Sequence, residues 1–296
     1  MNRVKKLVQA AEVYRQGYSG RGVRIAVLDT GVYAHPDLAG RIAAFHDFVE
    51  DSNGKQFTAD PSGHGTHVAG ILCASGRSSG GLLQGMAPGA ELVVLRVLDA
   101  AGNGKTERVL HALKWVRENR NRYRIRIVNF SVGFLPGADD GEQIQIMEAL
   151  EALWDENVAV VTAAGNNGPR DGSVTVPGIS RKVITVGASD DELGGRNMPR
   201  GYSGKGPTGC CIVKPEIFAP GTNILSLDNQ GRRYVKKSGT SMATPVVSGA
   251  LALALQKNPR LRPEQLKLLL YESTREQEWR GSGWGILQVD NLMKLI

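Results

Sequence analysis

Cysteine is scarce in this chain of 296 residues, and its three cysteines, Cys73, Cys210 and Cys211, form no familiar pattern. An odd number with two of them adjacent is a poor disulfide framework. The sequence contains no Cys-x-x-Cys pair and no Cys/His cluster, so we expect no zinc site. Because free thiols suit a reducing compartment, we expect a cytoplasmic protein, with a secreted, trimmed mature form as the alternative.

Long apolar runs are missing as well. A membrane-spanning helix needs about 18 or more consecutive apolar residues, and the sequence has no such stretch. Residues 1–12 carry basic side chains but no apolar run long enough for a signal peptide. We therefore expect no membrane partner.

Positive charge exceeds negative charge but is not concentrated. The chain has 36 Lys and Arg against 29 Asp and Glu, a net charge of +7. The densest run, residues 117–126, holds five arginines, and a solvated helix end explains it better than a nucleic-acid patch. We expect no nucleic-acid partner. The composition, 41% hydrophobic and 22% charged, is typical of a globular enzyme.

Short apolar runs alternate with helical patterns between residues 23 and 188. This alternation predicts an α/β fold with three layers, in which a mostly parallel central sheet is flanked by helices. The sequence shows no linker or internal repeat, so we expect a single domain over 1–296, with 1–10 as a short N-terminal extension. Other expected elements are a helix over 4–17, a hairpin over 224–235 and a last helix over 263–270.

Three polar residues stand where such a fold builds sites. Asp29 follows an apolar run at 23–28, His64 lies between two glycines, and Ser241 precedes an apolar helix. Each has a simpler explanation: a turn-forming Asp, a structural His, and a helix cap. Together they supply a nucleophile, its base and a carboxylate that orients the base. The Ser241 N–H and the Asn166 side-chain amide are candidate donors to an oxyanion.

Segments 27–32, 64–70 and 239–245 resemble the three active-site motifs of the subtilisin-like serine proteases, in that family's order. Their sequences are VLDTGV, HGTHVAG and GTSMATP. The resemblance covers about residues 11–290 and implies a serine endopeptidase with an acyl-enzyme intermediate and no cofactor for the chemistry. It implies Asp29 as orienter, His64 as base, Ser241 as nucleophile and Asn166 in the oxyanion hole.

The same resemblance implies that protein or peptide substrates bind as an added strand. Small residues on the pocket walls predict broad specificity with a preference for large apolar residues before the scissile bond. An inhibitory propeptide or inhibitor is a further implied partner. The implied substrate-binding residues are Gly102, Asn103, Gly104, Ser131, Val132, Gly133, Ala163, Ala164 and Gly165.

Metal binding is where the chain departs from the family pattern. Loop 75–81 lacks the Asn and carboxylates of the family's best-known calcium site, so we do not expect Asp37 to be a ligand. Loop 47–56 resembles a second, structural calcium site found in some members, and a solvated acidic loop is the alternative reading. The candidate ligands are Asp47, Asp51, Asn53 and Gln56.

Two other function classes fit less well. A binding protein that keeps the fold without catalysis would not need Asp29, His64, Ser241 and Asn166 all to be present. An esterase of the α/β-hydrolase type would carry Gly-x-Ser-x-Gly and the order Ser, Asp, His, whereas here the order is Asp, His, Ser.

Overall fold

A parallel sheet of eight strands forms the centre of the computed structural model, which describes residues 1–50, 59–133, 140–195, 198–209, 212–274 and 283–296. The strand order is β10-β7-β6-β5-β4-β1-β3-β2, and every pairing in it is parallel. The strands are β1 (Arg24–Asp29), β2 (Ile42–Asp47), β3 (Glu91–Arg96), β4 (Ile125–Phe130), β5 (Ala159–Ala163), β6 (Ile184–Ala188), β7 (Ile217–Ala219) and β10 (Gly285–Ile286), with β8 (Ile224–Leu227) and β9 (Tyr234–Lys237) in a separate antiparallel hairpin.

Helices pack around this sheet. The two buried helices α3 and α6 contact each other, and α4 contacts α5. The sheet is therefore the middle layer, which confirms the expected α/β architecture. The helices are α1 (Asn2–Leu7), α2 (Ala11–Arg15), α3 (His64–Cys73), α4 (Thr106–Tyr123), α5 (Asp140–Asp155), α6 (Thr240–Lys257), α7 (Pro263–Ser273) and α8 (Val289–Lys294).

The central strands explain why the site residues gather at one edge. Strands β1, β3, β4 and β5 are apolar runs buried on both faces, as parallel strands between helical layers must be. Asp29 ends β1, Ser131 directly follows β4, and Ala163 ends β5, and these three strands are neighbours. Because parallel strands end on the same side, all three residues lie at the carboxyl edge, where α/β folds bind ligands.

Helix α6 runs through the core and begins at the serine motif. Its residues from Met242 to Leu255 are all buried. A side chain at Gly249 would place Cβ 2.5 Å from Met86 Cβ, so glycine here permits close packing. The apolar character on every side of this helix follows from its burial.

Several predicted boundaries are wrong. The helix expected over 4–17 is two helices, α1 and α2, with Gln9 between them at φ 52°. That left-handed conformation breaks the helical path, and Val8 and Ala10 are buried at the bend. The helix at 263 is also not the last, because α8 follows it. The hairpin prediction is confirmed by β8 and β9.

Within the described ranges, no helix combines the length and the apolar character that crossing a bilayer requires. Cys73 is free and fully buried at the end of α3, and burial raises the pKa of its thiol well above the ordinary value. Cys210 and Cys211 lie outside the described residues.

Candidate active site

Asp29 and His64, 35 residues apart in sequence, meet through a short hydrogen bond. His64 Nδ1 donates to Asp29 Oδ1 at 2.7 Å. The Asp29 carboxylate is fully buried, and its Oδ1 also accepts the Thr30 N–H at 2.7 Å. Since Nδ1 carries the proton in this bond, the neutral ring presents an unprotonated Nε2 that can act as a base.

Two glycines bring His64 to this position. Gly63, just before α3, adopts φ 73°, a left-handed conformation that favours glycine. Gly65 lies so close to β1 that a Cβ there would be 2.1 Å from the Gly31 carbonyl oxygen. The start of α3 is thus pressed against the end of β1, which carries His64 to Asp29.

The pKa of His64 is raised above its ordinary value of 6.5. Burial lowers this pKa, but the charge of Asp29 and its hydrogen bond more than offset burial. Lys237 on β9 lowers the pKa further, and the Asp60 carboxylate raises it. The imidazole is therefore more basic than a free histidine, which suits a group that accepts a proton.

Ser241 is the second residue of α6 and lines the same pocket as His64. Its hydroxyl donates to the Ser131 carbonyl oxygen at 3.3 Å, rather than to His64. For the proposed chemistry the hydroxyl must donate to His64 Nε2 instead, and catalytic hydrogen bonds of this kind often tighten only when substrate binds.

Asn166 is held by the first residue of α6. Its Oδ1 accepts the Thr240 N–H at 2.9 Å and the Thr240 hydroxyl at 3.1 Å. This pairing fixes the oxygen end of the amide and leaves Nδ2 as the donor end, beside Gly239 in the pocket that Ser241 lines. The N-terminus of α6 adds the Ser241 N–H and the positive end of the helix dipole. The arrangement can therefore stabilise a negatively charged oxygen.

Two segments predicted to form the pocket walls, 131–133 and 163–165, both approach Thr175, a residue that the sequence analysis missed. A Cβ at Gly133 would lie 2.3 Å from Thr175 Oγ1, and one at Gly165 would lie 2.5 Å from Thr175 Cγ2. The Thr175 N–H donates to the Ala164 carbonyl at 3.0 Å, which fixes the residue in place. Thr175 thus packs against both segments and lines the pocket between them. Only its position in the fold reveals this, because no motif marks it.

Most of the predicted substrate-binding residues line the pocket that also holds His64 and Ser241. Asn103, Gly104 and Ala164 are outside the described lining of that pocket, and Gly104 forms an isolated antiparallel bridge with Leu98. The lining members of the predicted set are Gly102, Ser131, Val132, Gly133, Ala163 and Gly165.

Of the candidate calcium ligands, only Asp47 lies within the described residues; Asp51, Asn53 and Gln56 do not. Asp47 Oδ2 accepts Arg96 Nη1 at 2.9 Å, and both side chains are nearly fully buried. Asp47 Oδ1 accepts the Val49 N–H at 2.9 Å. In the described part of the chain, no three His, Cys, Asp or Glu side chains cluster as a metal site would require. The described residues alone thus do not assemble a ligand set, and calcium stays a prediction.

Asp37 has protein donors on both carboxylate oxygens. Its Oδ1 accepts the Ser78 N–H at 2.8 Å, and its Oδ2 accepts the Tyr234 hydroxyl at 2.9 Å. Burial raises the pKa of Asp37, but these hydrogen bonds outweigh burial and lower it overall. The carboxylate therefore fastens loop 75–81 to the hairpin.

Comparisons with known proteins agree with this geometry. The family model Peptidase_S8, described as the subtilase family, matches residues 20–285. The chain is 40% identical to serine protease AprX of Bacillus subtilis (strain 168) over 293 residues, 92% of this chain and 65% of that protein. It is 37% identical to subtilisin Savinase of Lederbergia lenta, over 88% of this chain and 86% of that protein. The solved structure of sphericase superposes with a TM-score of 0.79 at 31% identity, covering 92% of each chain.

Proposed function

Because this chain belongs to the subtilase family, we propose that it is a serine endopeptidase that uses Asp29, His64 and Ser241. The observation that carries the proposal is the 2.7 Å Asp29–His64 bond, which holds His64 in the pocket that Ser241 and Asn166 also line. The chain spans 65% of the length of AprX. The proposal therefore depends on the residues found in this chain and not on the activity of AprX.

In the proposed reaction, His64 Nε2 removes the proton from Ser241 Oγ as this oxygen attacks the carbonyl carbon of the scissile bond. Asn166 Nδ2 and the Ser241 N–H donate to the oxygen that becomes negative. The protonated His64 then gives its proton to the leaving amine, and an acyl-enzyme remains. Water, activated by the same base, hydrolyses that ester and restores Ser241.

The proposed substrates are proteins and peptides bound as an extended strand between 102–104 and 131–133. The glycines in the walls support a flat slot for a large apolar side chain before the scissile bond, within a broad specificity. An inhibitory propeptide or inhibitor would bind along the same edges. We propose one domain over 1–296, with 1–10 as an N-terminal extension, a cytoplasmic location with a secreted form as the alternative, and calcium as a structural ion.

The direct test is the Ser241→Ala variant. We expect kcat for peptide hydrolysis to fall by roughly 10⁶-fold, because the nucleophile is gone while the fold is retained. Thr244→Ser, a hydroxyl change three residues along the same helix, is the matched control. Full activity in Ser241→Ala at an unchanged fold would contradict the proposal.

A non-catalytic binding protein is the competing function, and it makes a different prediction. A fluorophosphonate probe labels a serine only where a base activates it. We expect labelling at Ser241 in the wild type and none in Ser241→Ala. An unlabelled, folded wild-type protein would favour the binding protein.

A further inference from the structure

A second buried carboxylate, Asp60, stands beside the Asp29–His64 pair. It lies four residues before His64 and is 6% exposed. It belongs to neither the three proposed catalytic residues nor the oxyanion donors. Burying an ionised carboxylate is costly unless hydrogen bonds compensate, so its contacts indicate what it does.

Asp60 accepts four hydrogen bonds, which fill both of its oxygens. Oδ1 accepts the Thr30 hydroxyl at 2.7 Å and the Gly63 N–H at 2.8 Å. Oδ2 accepts the Thr66 N–H at 2.7 Å and the Thr66 hydroxyl at 2.6 Å. An ionised carboxylate offers about four acceptor sites and no donor, and all of them are used here. Asp60 therefore ties the first turn of α3, where His64 lies, to the end of β1.

Thr30 connects Asp60 to the catalytic carboxylate. The Thr30 hydroxyl lies 2.7 Å from Asp60 Oδ1 and 3.3 Å from Asp29 Oδ1, and it also accepts the Gly65 N–H at 2.9 Å. A hydroxyl has one hydrogen to donate, and the shorter contact directs that hydrogen to Asp60. Without Asp60 the hydrogen would turn to Asp29 Oδ1, the same oxygen that holds His64.

We propose that Asp60 is a positioning residue, which fixes His64 on Asp29 by clamping the start of α3 and by drawing the Thr30 hydroxyl hydrogen away from Asp29 Oδ1. The proposal deepens the proposed peptidase function and rests on it. It concerns the protonation and placement of His64, both of which can be measured without hydrolysis.

The charges around His64 give the direction of the effect. Asp29 and Asp60 raise its pKa, whereas burial and Lys237 lower it. His67, on the same helix, is fully buried with its pKa lowered to about 3 by burial, Lys237 and His64, so it is neutral near pH 7. Removing the Asp60 charge therefore lowers the His64 pKa.

The test is the variant Asp60→Asn, which keeps the side-chain shape but removes the charge and two acceptor sites. We expect kcat/KM at neutral pH to fall by about 10-fold to 100-fold, because the base is misplaced. We also expect the acid limb of the pH–rate profile to move to lower pH. Thr30→Val should lower kcat in the same way, and the double variant should lose less than the sum of the two effects.

Asp37→Asn is the matched control, since Asp37 is also buried and hydrogen-bonded but bonds neither Asp29 nor His64. It should lower the unfolding free energy without moving the acid limb. A second readout is the His64 pKa, measured by NMR in Ser241→Ala with and without Asp60→Asn. This pKa measurement tests the role of Asp60 even if the wild type cleaves no peptide. Absence of cleavage would count against the proposed function and not against the role of Asp60. The role of Asp60 would be overturned if Asp60→Asn left the His64 pKa unchanged. It would also be overturned if the variant lost stability but kept the wild-type kcat/KM per correctly folded molecule.

Discussion

At the scale of single residues, Thr175 lines the proposed slot for the side chain before the scissile bond. It lies between Gly133 and Gly165, is 3% exposed, and its hydroxyl has no hydrogen-bond partner among the described residues. Loss of that hydroxyl would leave no other group unsatisfied. Removing the hydroxyl therefore leaves no buried polar group without its partner.

We expect Thr175→Ala to favour aromatic side chains before the scissile bond. Removing Oγ1 and Cγ2 lengthens the slot, and one methylene of extra room can change selectivity by about 10-fold to 200-fold. The measurement is the ratio of kcat/KM for Phe and Leu peptides. Thr162→Val is the control, because Thr162 also has a buried, unpartnered hydroxyl but does not line the pocket. An equal change in both variants would contradict Thr175 as the residue that limits the slot.

At the scale of elements, His67 joins α3 to the β8–β9 hairpin. Its Nε2 lies 3.0 Å from the Ile224 carbonyl and 3.1 Å from the Val235 carbonyl, so Nε2 carries the proton and donates to both. Because His64 is the first residue of the same helix, this contact also helps to hold His64 in place. A helix and a hairpin far apart in sequence thus share one buried, neutral imidazole.

The lowered pKa of His67 makes stability depend on pH. In the unfolded chain this group binds a proton near pH 6.5, but in the folded chain only near pH 3. The contribution of neutral His67 to the unfolding free energy is fully present above pH 6.5. It is lost at up to about 1.4 kcal/mol per pH unit as the pH falls towards 3. We expect His67→Gln, compared in the Ser241→Ala background by urea unfolding, to show a shallower loss between pH 6.5 and 4.5.

His111→Gln controls for the loss of a histidine, since His111 is exposed on α4. It should leave the slope of the unfolding free energy against pH as in the parent. A His67→Gln slope equal to that of the parent would show that His67 is not the group that titrates.

At the scale of the whole molecule, the only candidate calcium ligand within the described residues, Asp47, lies at the end of the outermost strand of the sheet. Asp47 ends the edge strand β2 and pairs with Arg96, which ends β3. The guanidinium already balances this carboxylate, so a cation in loop 47–56 would depend mainly on oxygens beyond Asp47. Such an ion would stabilise the whole folded chain by mass action.

We expect a chelator to lower the unfolding midpoint of the Ser241→Ala protein, and excess calcium to restore it. At a calcium concentration of about 100 times Kd the stabilisation would be about 2.7 kcal/mol. Asp51→Asn should weaken the response and Asp37→Asn should not, because Asp37 is held by protein donors. Superimposable unfolding curves with chelator and with calcium would refute the calcium site.

The sequence by itself determined most element types and the choice of candidate catalytic residues. Apolar runs and helical periodicity are local, so the strands ending at Asp29 and Phe130 could be predicted closely. Asp29, His64, Ser241 and Asn166 stand in short motifs whose residue types carry their chemistry. The break at Gln9 could not be foreseen, because burial of Val8 and Ala10 against the core overrides the helical pattern.

The tertiary structure alone decided which residues surround the site. Asp60 binds both Thr30 and Thr66, Thr175 packs between segments 131–133 and 163–165, and Asp47 meets Arg96 on the neighbouring strand. These contacts depend on strand register and on helix packing that glycines permit, over separations of up to about 50 residues. Local propensity carries no information about such pairings, since they arise only when the chain closes around its sheet.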